Sequence, residues 1–290
     1  MWWRPQSIGD GGTFQEIPFY EKLVGPEPDT KEELPPKIKV LRDKFEDVLK
    51  YLNWDISSVE KASWISNPRS AALFEAMRKT IEVQHAMNPI AFNDQKRWKR
   101  RDPEGEGETV LEELRRRRKL VEANFGNVAG GTRPVVMPFI QGTFEDAGKR
   151  ISENGFGTVS SLDAGWYGQG IYFTSRPSYA KIYSKKGVFL ISLILPGNSC
   201  PVVEDPFTDS TRSKKNPLGL LGGPCEPGYQ SHYVVVPNKW FAFPARFKEG
   251  EQFDPKKHAD ELVVFNHAQT LPLFLVYSSS PKETFLSGRN

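Results

Sequence analysis

The chain has 290 residues, 38% hydrophobic and 26% charged, with a formal net charge of +3. That balance describes a globular protein with enough chain to bury a proper core, and it excludes disorder throughout. The charge is too small to imply nucleic acid binding by itself, and no apolar run approaches the roughly 18 residues of a membrane span. The opening MWWRPQSIGDGG lacks an apolar h-region, so no secretory signal is expected. Two cysteines, Cys200 and Cys225, make neither a disulfide framework nor a zinc cluster. They point to a reducing, intracellular setting, cytoplasmic or nuclear.

Residues 1–34 are rich in Pro, Gly and acidic side chains without periodicity and read as an irregular arm. Pro35-Pro36 opens a helix whose stripe is Ile38, Leu41, Phe45, Val48, Leu49 and Leu52. Asn67-Pro68 starts a second helix, with Leu73, Phe74, Met77 and Ile81 on one face. A capping box, TVLE from Thr109, predicts a third helix to about Ala123. From Pro134 onward, short β-rich runs alternate with turn signals: PVVMPFI, GIYF, VFLISLIL, HYVVV, ELVVF and TLPLFLVY. Short helices are expected at about Phe144–Ser152 and Pro177–Ser184. The fold class is α+β, an α-rich N-terminal region leading into largely antiparallel sheets.

Two basic runs stand out, KRWKRR (Lys96–Arg101) and RRRRK (Arg115–Lys119). A nuclear address or an anionic-polymer patch is one reading. The plainer one is a solvated loop and the exposed face of a helix, since Glu112 and Glu113 precede the second run.

The segment GWYGQGIYFT (Gly165–Thr174) places three glycines at the entrance to a short apolar strand, so backbone approaches something closely there. A nucleotide is the expected neighbour. The Rossmann fingerprint is excluded, because it needs a strand before the glycines and a helix after them. No Gly-Lys-[Ser/Thr] follows any glycine cluster, which excludes a phosphate loop. The four histidines have no metal-ligand spacing.

Three blocks occur in a telling order: PFIQGTFEDAGKRISENGF (Pro138–Phe156), GWYGQGIYFTSRPSYAKIY (Gly165–Tyr183) and DELVVFNHAQTLPLFLVY (Asp260–Tyr277). Together they resemble the poly(ADP-ribose) polymerase branch of the ADP-ribosyltransferases, the branch akin to diphtheria toxin. Pro138–Phe156 resembles that family's strand, His-Gly-[Ser/Thr] and helix. Gly165–Tyr183 resembles its Gly-x-Gly-[Ile/Val]-Tyr-Phe strand and helix, and Asp260–Tyr277 its C-terminal Glu strand, Gln and last strand. SWISNPRSAALFEAMRKTI, around Asn67, is weakly similar to the helix that opens the mono-transferase domains. The resemblance implies two packed, mainly antiparallel sheets with short helices in residues 126–290, preceded by a helical region, residues 35–125.

The resemblance further implies NAD as substrate. Tyr172 and Tyr183, eleven residues apart, would form an aromatic slot for the nicotinamide cation. Gly142 would lend its backbone N–H and C=O to the carboxamide. Thr143 would either bond a ribose hydroxyl or cap the helix beginning at Phe144. Where the family often carries a carboxamide-binding Ser, this chain has Ala180, and Ser178 is the nearest hydroxyl. Glu261 is the expected catalytic carboxylate, stabilising positive charge as the glycosidic bond breaks. The family's His-Tyr-Glu triad reads Gln141, Tyr172, Glu261 here. Gln offers donors and an acceptor for the adenosine-ribose contact on a longer, less rigid side chain, so weaker NAD binding with retained chemistry is expected. The leading expectation is transfer of a single ADP-ribose unit to a protein side chain, the protein itself being one candidate acceptor; the stretch of about 222–259 carries no polymerase signature. Nucleic acid is a less favoured acceptor, and a membrane is not expected. The alternative is a catalytically weak or inactive NAD- or ADP-ribose-binding module of the same fold.

Overall fold

A computed structural model describes residues 19–24, 36–87, 106–125, 134–157, 165–203, 220–238, 243–248 and 250–283. Two sheets organise them. The first has strand order β1-β2-β9-β5-β3 and consists of β1 (Phe19–Val24), β2 (Lys61–Ser66), β9 (Thr270–Tyr277), β5 (Val188–Ile194) and β3 (Met137–Thr143). The second has order β4-β8-β7-β6: β4 (Ile171–Phe173), β8 (His258–Val264), β7 (Ser231–Pro237) and β6 (Ser199–Val202). All pairings are antiparallel except β6 with β7. Every run expected to be a strand after Pro134 contains one. Ile140 at the edge of β3 exchanges both backbone bonds with Thr174 just past β4, at 2.7 and 2.8 Å, and so joins the sheets at one corner.

The N-terminal part departs from its reading as an irregular arm followed by helices alone. Residues 19–24, expected to be irregular, form edge strand β1, and KASWIS forms β2 between β1 and β9. Neither run is long or strongly apolar, and each takes its backbone partners from an existing sheet, a tertiary gain that local composition does not report. The remainder of residues 1–34 lies outside the described residues. One core runs from Phe45 in helix α1 (Pro36–Tyr51) through Leu114 to Phe139, Leu190 and Phe274. Residues on both sides of position 126 therefore share one sheet and one core.

Helix α2 (Pro68–Met87) starts as expected, with Asn67 Oδ1 accepting from Ser70 N at 2.9 Å. Its buried face is Ser70, Phe74, Arg78 and Ile81, whereas Leu73 is exposed. Helix α3 (Glu106–Phe125) begins a turn before the capping box. Glu106 is anchored there, accepting from Phe247 N at 3.1 Å and pairing with Arg246 at 2.8 Å. The two short helices are α4 (Glu145–Asn154) and α5 (Pro177–Ala180), the latter running on into a 3-10 turn over Lys181–Tyr183. Among the described residues, no helix is long and apolar enough to cross a membrane.

The RRRRK run lies on α3 with Arg116 and Lys119 exposed, as its plainer reading expects, but Arg117 departs from both readings. Arg117 is buried, with its Nε 2.9 Å from Glu113 Oε1 and 3.1 Å from Asp260 Oδ2. Neither approach has hydrogen-bond alignment, so the coupling is ionic. Arg116 bonds Glu113 at 2.7 Å, Arg115 pairs with Glu108, and Arg118 donates to Gly197 O at 2.9 Å. The four arginines are thus engaged within α3, with the sheet and with the loop at Gly197. Lys96–Arg101 lie outside the described residues.

Truncating one partner of a buried ion pair strands the other charge and costs on the order of 3–5 kcal/mol. Arg117→Ala is expected to lower stability by about that amount in urea unfolding. The exposed Arg42→Ala, which removes an i,i+4 pair with Glu46, should cost below about 0.5 kcal/mol.

Candidate functional site

In the β4–β8 ladder Tyr172 faces Val263 and Phe173 faces Leu262. Side chains alternate along a strand, so Tyr172, Val263 and Glu261 occupy one face of the second sheet. Phe173 and Leu262 turn into the main core. Tyr172 and Val263 join a second apolar cluster with Tyr167, Tyr179, Leu220 and Val234. The step from Asp260 to Glu261 therefore carries two neighbouring carboxylates to opposite faces.

Asp260 is fully buried and wholly engaged. Its Oδ1 accepts from Ser175 N (2.9 Å), Ser175 Oγ (2.6 Å) and Thr174 Oγ1 (3.1 Å), and its Oδ2 from Tyr233 Oη (2.9 Å). Burial pushes its carboxyl up, but the Arg117 charge and these bonds outweigh it and hold it below the ordinary value. Asp260 is a structural node.

Glu261 is only 7% exposed. Tyr179 Oη donates to its Oε1 at 2.6 Å, and Tyr183 Oη lies 3.5 Å from the same oxygen. The two phenol oxygens are 3.4 Å apart, and the rings meet edge to face with centroids 5.8 Å apart. Tyr179 is buried in α5; Tyr183, 51% exposed, ends the 3-10 turn that follows. Burial and the adjoining Glu261 charge raise the Tyr179 phenol far above its usual value, so it remains a donor. The sequence motifs do not single out Tyr179. Its signal is the i,i+4 spacing from Tyr183, which stacks two phenols on one side of a helical turn.

The glycines of GWYGQG answer to the protein itself. A Cβ on Gly168, whose φ is +109°, would lie 2.7 Å from the Phe265 ring. One on Gly170 would meet Val263 Cγ1 at 2.6 Å and Val264 O at 2.7 Å. The close neighbour expected to be a nucleotide is strand β8 and the residue after it. Tyr172 Oη fastens the turn, donating to Gly168 O and accepting from Tyr167 N, both at 2.8 Å.

Gly142 is held open for two reasons. A Cβ there would sit 2.0 Å from Ala180 O and 2.9 Å from Ser184 N, so the segment carrying Tyr179 and Tyr183 rests directly on its backbone. Within β3, Gly142 is two residues from Ile140, so its N–H and C=O turn the same way, toward the edge away from β5. Gln141 alternates to the opposite face, where its Oε1 is buried without a partner among the described residues. Thr143 is buried and does not cap α4; Phe144 holds the cap position without a side-chain bond.

Ser178 is turned away from this cluster. Its N–H and Oγ both donate to Glu283 Oε1, at 3.0 and 2.5 Å, while Glu283 Oε2 pairs with Arg176. The hydroxyl expected to contact a ligand instead ties α5 to the C-terminal end of the described chain. Gln269, in the third block, donates to Leu195 O (2.8 Å) and Gln230 O (3.2 Å), stapling the end of β5 to the approach to β7.

Comparison with protein-family models finds no match, and comparison with curated proteins finds none significantly similar. The described residues contain no group of three or more His, Cys, Asp or Glu able to hold a metal ion. Cys225 is no nucleophile at neutral pH, since burial pushes its thiol up to about 12.

His232 is buried between Tyr167 O, 2.7 Å from Nδ1, and Glu226 N, which donates to Nε2 at 2.9 Å. Those partners fix the neutral tautomer with its proton on Nδ1. Burial lowers its pKa from 6.5 to about 4. Between those values the unfolded chain takes up a proton that the folded protein refuses. Stability is thus complete above pH 6.5 and falls as pH drops toward 4. The loss expected from this residue is on the order of 3 kcal/mol. Urea unfolding across that range should show the slope, and His232→Gln should flatten it.

Proposed function

We propose that the chain is an NAD-dependent ADP-ribosyltransferase that moves one ADP-ribose unit to a protein side chain and releases nicotinamide. The reading rests on one convergence. Tyr172 and Tyr183 come from one block of the sequence and Glu261 from another; Tyr172 and Glu261 share a sheet face, and Tyr183 brings its hydroxyl to 3.5 Å from the carboxylate.

The chemistry follows from those groups. The bond between nicotinamide and ribose C1′ breaks with its electron pair leaving on nicotinamide, and positive charge builds on the ribose. The acceptor's nucleophilic atom then bonds C1′ and loses its proton. A carboxylate aimed at the ribose lowers the energy of the charged state, and a water-poor setting strengthens that effect. Glu261 is the group for this task. Tyr172 and the half-exposed Tyr183 supply aromatic surface for the nicotinamide ring. The outward N–H and C=O of Gly142 complement the C=O and N–H of a carboxamide. The partnerless Oε1 of Gln141 would accept from a ribose hydroxyl, relieving a buried group that otherwise costs about 1–3 kcal/mol.

One observation favours the alternative of a binding module: Ser178, the hydroxyl nearest the carboxamide position, is consumed by Glu283. Incubation with labelled NAD separates the readings. The wild type is expected to release nicotinamide and label protein, whereas Glu261→Gln should lose on the order of 100-fold or more in kcat. NAD binding without any turnover by the wild type would support the module.

Gln141→His tests the ribose contact. It is expected to lower the KM for NAD while leaving kcat within a few-fold. Loss of all turnover in this variant would remove Gln141 from that role.

A further inference from the structure

We propose that Tyr179 is a positioning residue for Glu261, fixing the rotation of its carboxylate and holding it ionised for the glycosidic step. The proposal rests on the transferase reading for its catalytic meaning, but the bond itself is independent of it.

Three oxygens set the geometry: Glu261 Oε1, Tyr179 Oη and Tyr183 Oη, at separations of 2.6, 3.4 and 3.5 Å. Tyr179 has one proton, and at 2.6 Å it goes to the carboxylate. This is a short, charge-assisted bond. Tyr183 stands at the outer limit of bonding distance from both other oxygens, on a half-exposed ring. The two phenols therefore differ: Tyr179, buried and close, fixes the carboxylate, and Tyr183, half-exposed, stands farther from it.

The Tyr179 ring is itself locked. It sits in the second apolar cluster with Val263 and Val234, on the face that carries Glu261. Ser178, its neighbour, is clamped by Glu283, and Ala180 O lies over Gly142. An orienting group works only when its own position is set by surrounding structure, and these contacts set it. The ionisable groups around Glu261 are consistent with this role. On α5 and the 3-10 turn they are Tyr179 and Tyr183, and on β4 Tyr172, whose hydroxyl is held by the glycine turn. On β7 the residue opposite is Val234, and His232, across from Val263, stays neutral. On β8 itself Asp260 turns to the other face, where Arg117 meets it.

A hydrogen bond to the ionised form favours that form, so removing it raises the carboxyl pKa. Tyr179→Phe keeps the ring and deletes the donor. It is expected to reduce kcat by roughly 10- to 100-fold with KM for NAD changed less than about threefold, and to move the acid limb of the kcat profile up by about one pH unit. Tyr183→Phe should move that limb less and raise KM more.

The direct readout needs no turnover. With 13C-labelled glutamate, the carboxyl signal of Glu261, assigned by its loss in Glu261→Gln, is titrated in the wild type and in Tyr179→Phe. An upward shift of about one unit in the variant supports the positioning bond. An unchanged titration overturns it, whatever the enzyme does with NAD. If the titration shifts while the wild type leaves NAD intact, the bond stands and the transferase reading falls. If the wild type turns NAD over and Tyr179→Phe matches it in kcat and acid limb, the transferase stands and Tyr179 loses its role.

Discussion

The buried charge of Asp260 is the constraint around which the second sheet is arranged. A carboxylate removed from water costs several kcal/mol unless it is paired and its lone pairs are filled. Here the pairing comes from α3 through Arg117, and the remaining bonds come from the end of β4 and from β7. Helix, edge strand and central strand are thereby fixed to one another by a single side chain. Glu113 adds a second negative charge beside Arg117, so the guanidinium is bounded on both sides. Burial would lower the Arg117 pKa, but Asp260 and Glu113 together raise it well above normal.

Alternation then decides where the neighbouring carboxylate goes. Asp260 faces the core, so Glu261 must face the other side of β8. Glu261 pairs with Val234 of β7 and lies one residue beyond the point where the β4 ladder ends at Leu262. The Ile140–Thr174 bridge ties the same corner to β3, which brings Gly142 under the segment carrying Tyr179 and Tyr183. A slip of one residue in β8 would exchange the two carboxylates between the faces of the sheet.

Much of this is legible in the sequence, and the exceptions have physical reasons. β5, β7, β8 and β9 stand out as largely continuous apolar runs because those strands are buried on both faces. Strands β1, β2 and β6 are short or polar and take their pairing from neighbours, so composition conceals them. RRRRK misleads because a run of four arginines resembles solvated charge; nothing local reveals that the third one meets an aspartate 143 positions away, at 260. Ser178 lies near the expected hydroxyl in sequence, but Glu283 claims it, a contact 105 residues away. Tyr179 is visible as one of two tyrosines a helical turn apart, yet its carboxylate partner is not, because that contact depends on how α5 lies across β8.

The glycine turn is built for the protein's own packing. Gly168 and Gly170 are required by Phe265 and β8, and Gly142 by Ala180 O, so these positions are demanded by folding even without a ligand. Asp260 is likewise needed by the fold. The motif glycines and this aspartate therefore speak for architecture and say little about catalysis. Glu261 also meets a helix, through Tyr179 of α5, and as a buried carboxyl group it carries a desolvation cost that an apolar side chain of similar shape would avoid. Tyr179 and Tyr183 offset that cost by presenting hydroxyls to one oxygen. A buried carboxyl group met by two phenols, beside a half-exposed aromatic ring, is the arrangement on which the proposed transferase reading depends. The proposed function accordingly rests less on the glycines that first draw the eye than on the carboxylate of the neighbouring strand.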